Sequence, residues 1–409
     1  MKQLKNILEI WFEELTDTFK DRGILIFILF VPIMYPLLYS YVYTNELVRE
    51  VPTAVVDDSH SHLSREYLRK LDGTSDVKIV ANCTDMEEAK ELLRWQKAYA
   101  IIHIPSTFSK DIAHGEQTYI GEYSDMCAML YYKSVLLSAN LVALDMNKDI
   151  KVHQYGHNMT NQEDVISEMP IKYDYIPIYN TQSGFASFLI PPVLMLIIQQ
   201  TLLLGIGMSM GRAREKNRGC IIPLSRSYKN PVNIVLGKAL VYVLLYFVMG
   251  IYMFTYVTKT FGLPQLGHYG TFIAFIIPFI LSCVFFAMVF SSFVYRREDC
   301  IMLFVFISVP MLFITGISWP WSAVPKFWKI VSYLFPVTFG INGYVRINNM
   351  GASLYDIAHE YHALWLQAGI YFIIACFIYL RQIQGLLHRI KKDGRHFHTD
   401  RFPFRPKDI

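Results

Sequence analysis

Six stretches of the chain carry no charged residue: 24–43, 185–210, 239–258, 271–295, 300–325 and 363–380. A helix needs roughly 20 apolar residues to cross ~30 Å of hydrocarbon, and apolar residues bunched in this way predict membrane-spanning helices. Lipid offers backbone groups no hydrogen-bond partner, so each run must be helical. The prolines within the runs (Pro32, Pro36, Pro191, Pro192, Pro278, Pro310) then mark kinks. The pattern predicts spans over 23–43, 183–210, 234–258, 271–295, 300–318 and 363–385. Ahead of the first span, Leu4, Ile7, Leu8, Trp11, Leu15 and Phe19 recur at helical spacing. They predict an amphipathic helix over 1–22 lying on the membrane surface. The first run exceeds a signal-peptide core, and no small-x-small site follows it, so it is expected to stay as an anchor.

Between the first two spans the pattern changes. Over 44–182 short apolar runs with strand character (53–57, 77–81, 99–104, 118–123) alternate with helical stretches at 64–71, 85–96 and 106–113. Asp85 stands at an N-cap position. This alternation predicts a small α/β sheet, with a long helix over 128–146 and a polar linker over 154–177. The expected fold class is therefore a membrane α-helical bundle of six transmembrane helices with an inserted extracytoplasmic α/β domain.

Charge gives the orientation. Lys2, Lys5, Lys20 and Arg22 precede the first span. Arg212, Arg214, Lys216, Arg218, Arg226 and Lys229 lie between spans two and three, Arg296 and Arg297 between four and five, and the tail over 386–409 is basic. With six spans these sets share one side, whereas the other holds only Lys259, Lys326, Lys329 and Arg346 outside the inserted domain. By the positive-inside rule both termini and the 211–233 hairpin are cytoplasmic. The chain is 53% hydrophobic, and its net charge of +4 follows from this asymmetry without a nucleic-acid partner. The basic, aromatic tail suits a weak hold on anionic lipid.

Chemistry is sparse. The sequence has no phosphate-cradling loop of the G-x-x-x-x-G-K-[ST] type and no nucleophile elbow, so no catalytic residue or cofactor is expected in this chain. His359 and His362 are three apart, not the four that would put both on one helical face, so no metal site is expected. Cys83 and Cys127 both fall in the inserted domain, where a disulfide is open to them. The span interiors are almost free of ionisable groups, which argues against proton- or sodium-driven transport; Lys238 is read as snorkelling from a cytoplasmic end. Gln199, Gln200 and Thr201 at mid-span, with Thr315, supply mild polarity suited to an amphipathic cargo or to helix–helix hydrogen bonds. Over 319–350, Trp319, Trp321 and Tyr333 are belt-type aromatics, and Pro320, Pro325 and Pro336 forbid one straight helix. Two short helices dipping into the outer leaflet are expected there, either a gate or plain interfacial helices.

In this order the motifs resemble one family. GRAREKNRG at 211–219 is similar to the cytoplasmic R-E-x-x-x-G turn of type-2 ABC transporter permeases, and PLSR at 223–226 and LGK at 236–238 are similar to the elements that follow it. ITGISWP at 314–320, VP at 324–325 and YLFP at 333–336 resemble the region before the family's last span, and IPSTF at 104–108 resembles the end of the third strand of its outside domain. Cys220 and Ile221 depart from the usual Thr and acidic residue. The resemblance implies that 211–233 is a coupling segment in which Arg212, Arg214, Glu215, Lys216, Arg218 and Gly219 meet a separate ATP-binding subunit. It also implies two such subunits holding ATP and Mg, and a second permease copy or paralogue. The outside domain leaves room for a periplasmic adaptor. The implied activity is export of a drug, lipid, peptide or glycan-lipid across the bacterial inner membrane. The competing reading is a membrane-anchored extracytoplasmic binding or signalling protein that transports nothing.

Overall fold

A computed structural model describes residues 2–44, 47–155, 178–180, 184–217, 219–223, 230–316, 319 and 321–393. Arg218, the hairpin residues 224–229, the linker over 156–177 and the tail beyond 393 lie outside the described residues. In chain order the elements begin with α1 (Lys2–Lys20) and α2 (Arg22–Val42, with a π-helical turn at Ile26–Phe30). Next come β1 (Val51–Asp57), α3 (His62–Asp72), β2 (Val77–Cys83), α4 (Met86–Arg94), β3 (Ala100–Ile104), α5 (Phe108–Ala113), β4 (Gly121–Ser124) and α6 (Met129–Tyr155). The remainder is helical: α7 (Phe185–Lys216), α8 (Pro231–Thr260), α9 (Tyr269–Phe293), α10 (Arg297–Ile314), α11 (Lys326–Ser332), α12 (Pro336–Met350) and α13 (Ala358–Asp393). The chain divides into two compact units, Leu47–Ile176 and the remainder.

The smaller unit is a four-stranded sheet in the order β2-β1-β3-β4, parallel except for the antiparallel edge strand β4. β1 sits centrally because VPTAVVD is apolar on both faces. One face packs Val51, Val55, Ile102 and Ile104 against Tyr67 and Leu71 of α3 and against Val135, Ala139, Val142 and Met146 of α6. The 4-3-4 spacing of that α6 set is a single helical stripe. The other face packs Ala54, Val56 and Ile101 against Ala89 of α4. Asp85 caps α4, its carboxylate accepting from the Glu88 amide at 2.8 Å. Cys83 is packed into that second face, Cys127 is exposed, and both thiols are free.

In the larger unit, among the described residues, five helices, α2, α7, α8, α9 and α13, are long and apolar enough to cross a membrane. The α10 helix has 18 residues but opens on Arg297, Glu298 and Asp299, so its apolar stretch is shorter than the other five. The α7 helix is the centre: 89% of its apolar window is enclosed by neighbours, against 28% in α2 and α13. Its Leu194, Met195, Ile198, Leu202 and Ile206 meet Phe275, Phe279 and Cys283 of α9 in one core. The α1 helix divides its circumference, with Ile10, Glu14 and Thr18 buried and Leu4, Leu8, Phe12 and Phe19 exposed.

One expected boundary moves. The second span was expected to end at 210, yet α7 runs six residues further, to Lys216. Ala213, Arg214, Glu215 and Lys216 are good helix formers, and positive side chains complement the carbonyl end of a helix, so nothing in that stretch stops it. The stop comes at Asn217, and Gly219, at φ +89°, turns its amide back to the Arg214 carbonyl at 2.7 Å. Beyond α10, Gly316 has φ +87°, and a 3-10 turn at Trp321–Ala323 precedes α11 and α12.

Candidate functional site

Asp17 and Asp21 meet Arg212 and Lys216 at the end of α7, where α2 and α10 begin. Asp21 is the N-cap of α2: its Oδ1 accepts from the Gly23 amide at 2.9 Å and the Ile24 amide at 3.3 Å. Its Oδ2 lies 2.9 Å from Nη1 of Arg297 and 3.3 Å from Nη1 of Arg212. The same Arg212 nitrogen donates to the Asp17 carbonyl at 2.7 Å, and the Asp17 carboxylate pairs with Lys216 at 3.5 Å. Glu215 pairs with Nε of Arg297 at 3.1 Å. Burial would raise the pKa of Asp21, but the Ile24 amide and the Arg297 and Arg212 guanidiniums outweigh it and hold the carboxyl below its ordinary value.

Arg214 turns the other way and is buried. It donates to the Val294 carbonyl and, at 2.6 Å, to the Ser292 carbonyl, capping the end of α9 while its guanidinium lies 4.6 Å from the Tyr295 ring centre. Between these contacts α7 and α10 touch through backbone. A Cβ on Gly211 would stand 3.0 Å from the Arg297 nitrogen, so the absence of a side chain there sets the approach.

One turn up α7 a second polar group joins that helix to α1 and α8. The carboxylate of Glu14 receives Lys238 Nζ at 2.6 Å, the Tyr242 hydroxyl at 2.7 Å and the Ser209 hydroxyl at 2.9 Å. The Glu14 and Lys238 side chains are 9% and 5% exposed, which corrects the reading of Lys238 as snorkelling to water. The nearby carboxylate draws the ammonium inward. Burial would push the Glu14 pKa up, but the charge and hydrogen bonds from Lys238 reverse the direction and keep it below the ordinary glutamate value.

The residues expected along a path or gate fall on α7, just after α10 and around α11. Gln199 is buried and its Oε1 accepts the Val337 amide at 2.7 Å, one of the free N–H groups in the first turn of α12. Thr201 donates back to the Ile197 carbonyl at 2.6 Å, and Gln200 is half-buried. Thr315 is buried at the end of α10. Trp321 and Tyr333 lie 5.8 Å apart by ring centres, Lys329 stands 5.9 Å over Trp321, Tyr333 also stacks on Phe339, and Trp319 is exposed. Glu360, between His359 and His362, pairs with Arg346 at 3.1 Å. Replacing Gln199 with leucine is expected to strand the Val337 amide in a dry interior and to destabilise the protein by about 1–3 kcal/mol, read as a lower melting midpoint in detergent.

Of the residues assigned to partner coupling, Arg212, Arg214, Glu215 and Lys216 are all engaged within the chain, and Lys216 stays the most open, its side chain 64% exposed. Glu14, Asp17, Asp21 and Arg297 were missed. The signal available was partial: Glu14 and Asp17 stand three apart on the expected surface helix, with Asp21 just beyond it, in a chain whose other expected cytoplasmic segments are basic.

No curated protein matches the chain. Residues 22–377, most of its length, match the model of a family described as ABC-2 family transporter protein. On that match, with apolar helices suited to several membrane crossings, the chain belongs to the ABC-2 family of transporter proteins and is a multi-pass membrane component of an ABC transporter, not itself an enzyme.

Proposed function

We propose that the chain is the permease subunit of an ATP-driven exporter that moves a hydrophobic or amphipathic cargo, such as a drug, lipid, peptide or glycan-lipid, out of the cytoplasm or inner leaflet. In this reading α10 is a sixth span, its three opening charges lying at the cytoplasmic end where Arg297 is already paired. Both termini are cytoplasmic, the sheet unit is extracytoplasmic, and two permeases work with two ATP-binding subunits that hold ATP and Mg. The choice of cargo is supported by spans whose interiors, among the described residues, carry no carboxylate or histidine at mid-helix.

The observation that carries the reading is the charged junction at the end of α7, because it sits in the segment with the family's R-E-x-x-x-G pattern and touches α1, α2, α9 and α10 at once. A push on that end reaches four helices. The open Lys216 is the residue there best placed to meet another protein. Lys216→Glu is expected to cut recovery of the ATP-binding subunit on a tagged permease several-fold while leaving the permease folded, since its pair with Asp17 is long and solvated. Wild-type protein that never recovers such a subunit, and never alters its ATPase rate in lipid nanodiscs, would sink the reading.

A further inference from the structure

We propose that Asp21 is the coupling node of the permease, the side chain through which movement of the α7 end, and of α10 tied to it, is passed to α2. The inference rests on the permease reading and adds which contact carries the motion.

The two carboxylate oxygens of Asp21 have separate tasks. Oδ1 faces its own helix and caps the Gly23 and Ile24 amides. Oδ2 faces outward and is shared by Arg297 of α10 and Arg212 of α7. Each guanidinium is also fixed elsewhere, Arg212 on the Asp17 carbonyl and Arg297 on Glu215. Neither can follow α7 alone without straining its bond to Asp21. The Asp21 side chain is only 10% exposed, so salt screens this bond less than a surface pair. The backbone contact at Gly211 removes the slack that would let α7 slide past α10 before the charges respond. A rotation of the α7 end large enough to move Lys216 must therefore either carry α2 and α10 with it or break the Oδ2 bonds. In both cases Asp21 sets the cost.

The division of labour supplies the test. Asparagine is as good an N-cap as aspartate, so Asp21→Asn keeps the Oδ1 bonds but replaces the anionic oxygen with an amide that cannot hold two guanidiniums. Asp21→Ala removes both functions. The full-length permease with its ATP-binding subunit in nanodiscs is trapped with ADP and vanadate and compared with the nucleotide-free complex by hydrogen exchange and ATPase rate. In wild type, residues 21–25, 212–216 and 296–300 are expected to change exchange together on trapping. In Asp21→Asn the melting midpoint is expected to fall less than in Asp21→Ala, residues 21–25 to drop out of the response while 296–300 still follow 212–216 through Glu215, and permease-dependent ATPase stimulation to fall roughly tenfold. Asp21→Ala should add a loss of midpoint. An Asp21→Asn complex in which all three segments still respond together at a wild-type rate overturns the inference, because the cap alone would then suffice and Asp21 would be a capping residue only. A wild-type complex that shows no permease-dependent ATPase overturns the permease reading itself, a different result from either.

Discussion

Glu14→Ala is expected to cost about 3–5 kcal/mol, because it leaves the Lys238 ammonium buried without its counter-charge. Lys238 has no route to water in this packing: its side chain is 5% exposed and the helix bearing it meets α1 directly through Gly237, where an added Cβ would crowd Ile10 and the Ile7 carbonyl. The loss should appear as a sharp fall in yield of monodisperse protein and in its melting midpoint. Glu14→Leu combined with Lys238→Met should recover part of it, since two apolar side chains leave no charge to desolvate but take the acceptor from the Tyr242 and Ser209 hydroxyls. The pH dependence has a definite sign. The folded pKa of Glu14 is depressed, so its contribution is fully present above the ordinary glutamate pKa and is lost as pH falls through the lower folded value. Between pH 6 and 8 this pair should therefore confer no pH dependence, a range chosen because it lies above the ordinary glutamate pKa of about 4.3. A double variant no better than Glu14→Ala would show that the ion pair specifies the packing and is not replaceable by bulk.

Much of the helical layout was legible because a bilayer imposes one strong rule on sequence, and runs such as 185–210 and 271–295 obey it without interruption. The sheet was legible for a similar reason, since β1 and β3 are apolar runs between capped helices. What could not be read was where charges go when they lie at helix ends. Lys238 and Arg214 look like cations beside water when only their own helices are considered. Their burial depends on Glu14 and on the carbonyls of residues 292 and 294, which come from elements 224 and about 80 positions away. The α7 helix likewise outlasts its apolar run: hydropathy drops at Gly211, yet nothing in residues 212–216 disfavours helix. Hydropathy reports the edge of the hydrocarbon, and helix propensity reports the edge of the helix. Here the two edges differ by six residues, and the charged junction occupies that difference.

Arg214→Met is expected to destabilise the chain by about 3 kcal/mol or more, because hydrogen bonds from a charged donor contribute roughly 1.5–3 kcal/mol each and two are lost. The accepting groups are the carbonyls of Ser292 and Val294, at the point where the 3-10 turn ends α9 and the backbone has no helical donor left to satisfy them. Methionine fills the volume but leaves both oxygens unpaired. Arg214→Lys is not a conservative repair. An ammonium on a flexible stem cannot address two carbonyls in fixed fork geometry while lying flat over Tyr295, so lysine should recover less than half of the loss. Tyr295→Leu, which removes only the ring, should cost about 0.5–1 kcal/mol and thereby separate stacking from hydrogen bonding. The functional consequence follows from position. Arg214 ties the α7 end to α9, on the side away from Asp21, so Arg214→Met should loosen α9 and leave the exchange response shared by residues 21–25 and 296–300 in place. Loss of that shared response in Arg214→Met would mean that the two arginines of this segment act as one cluster, whereas its survival would confirm two separate ties, Arg212 toward α2 and α10 and Arg214 toward α9.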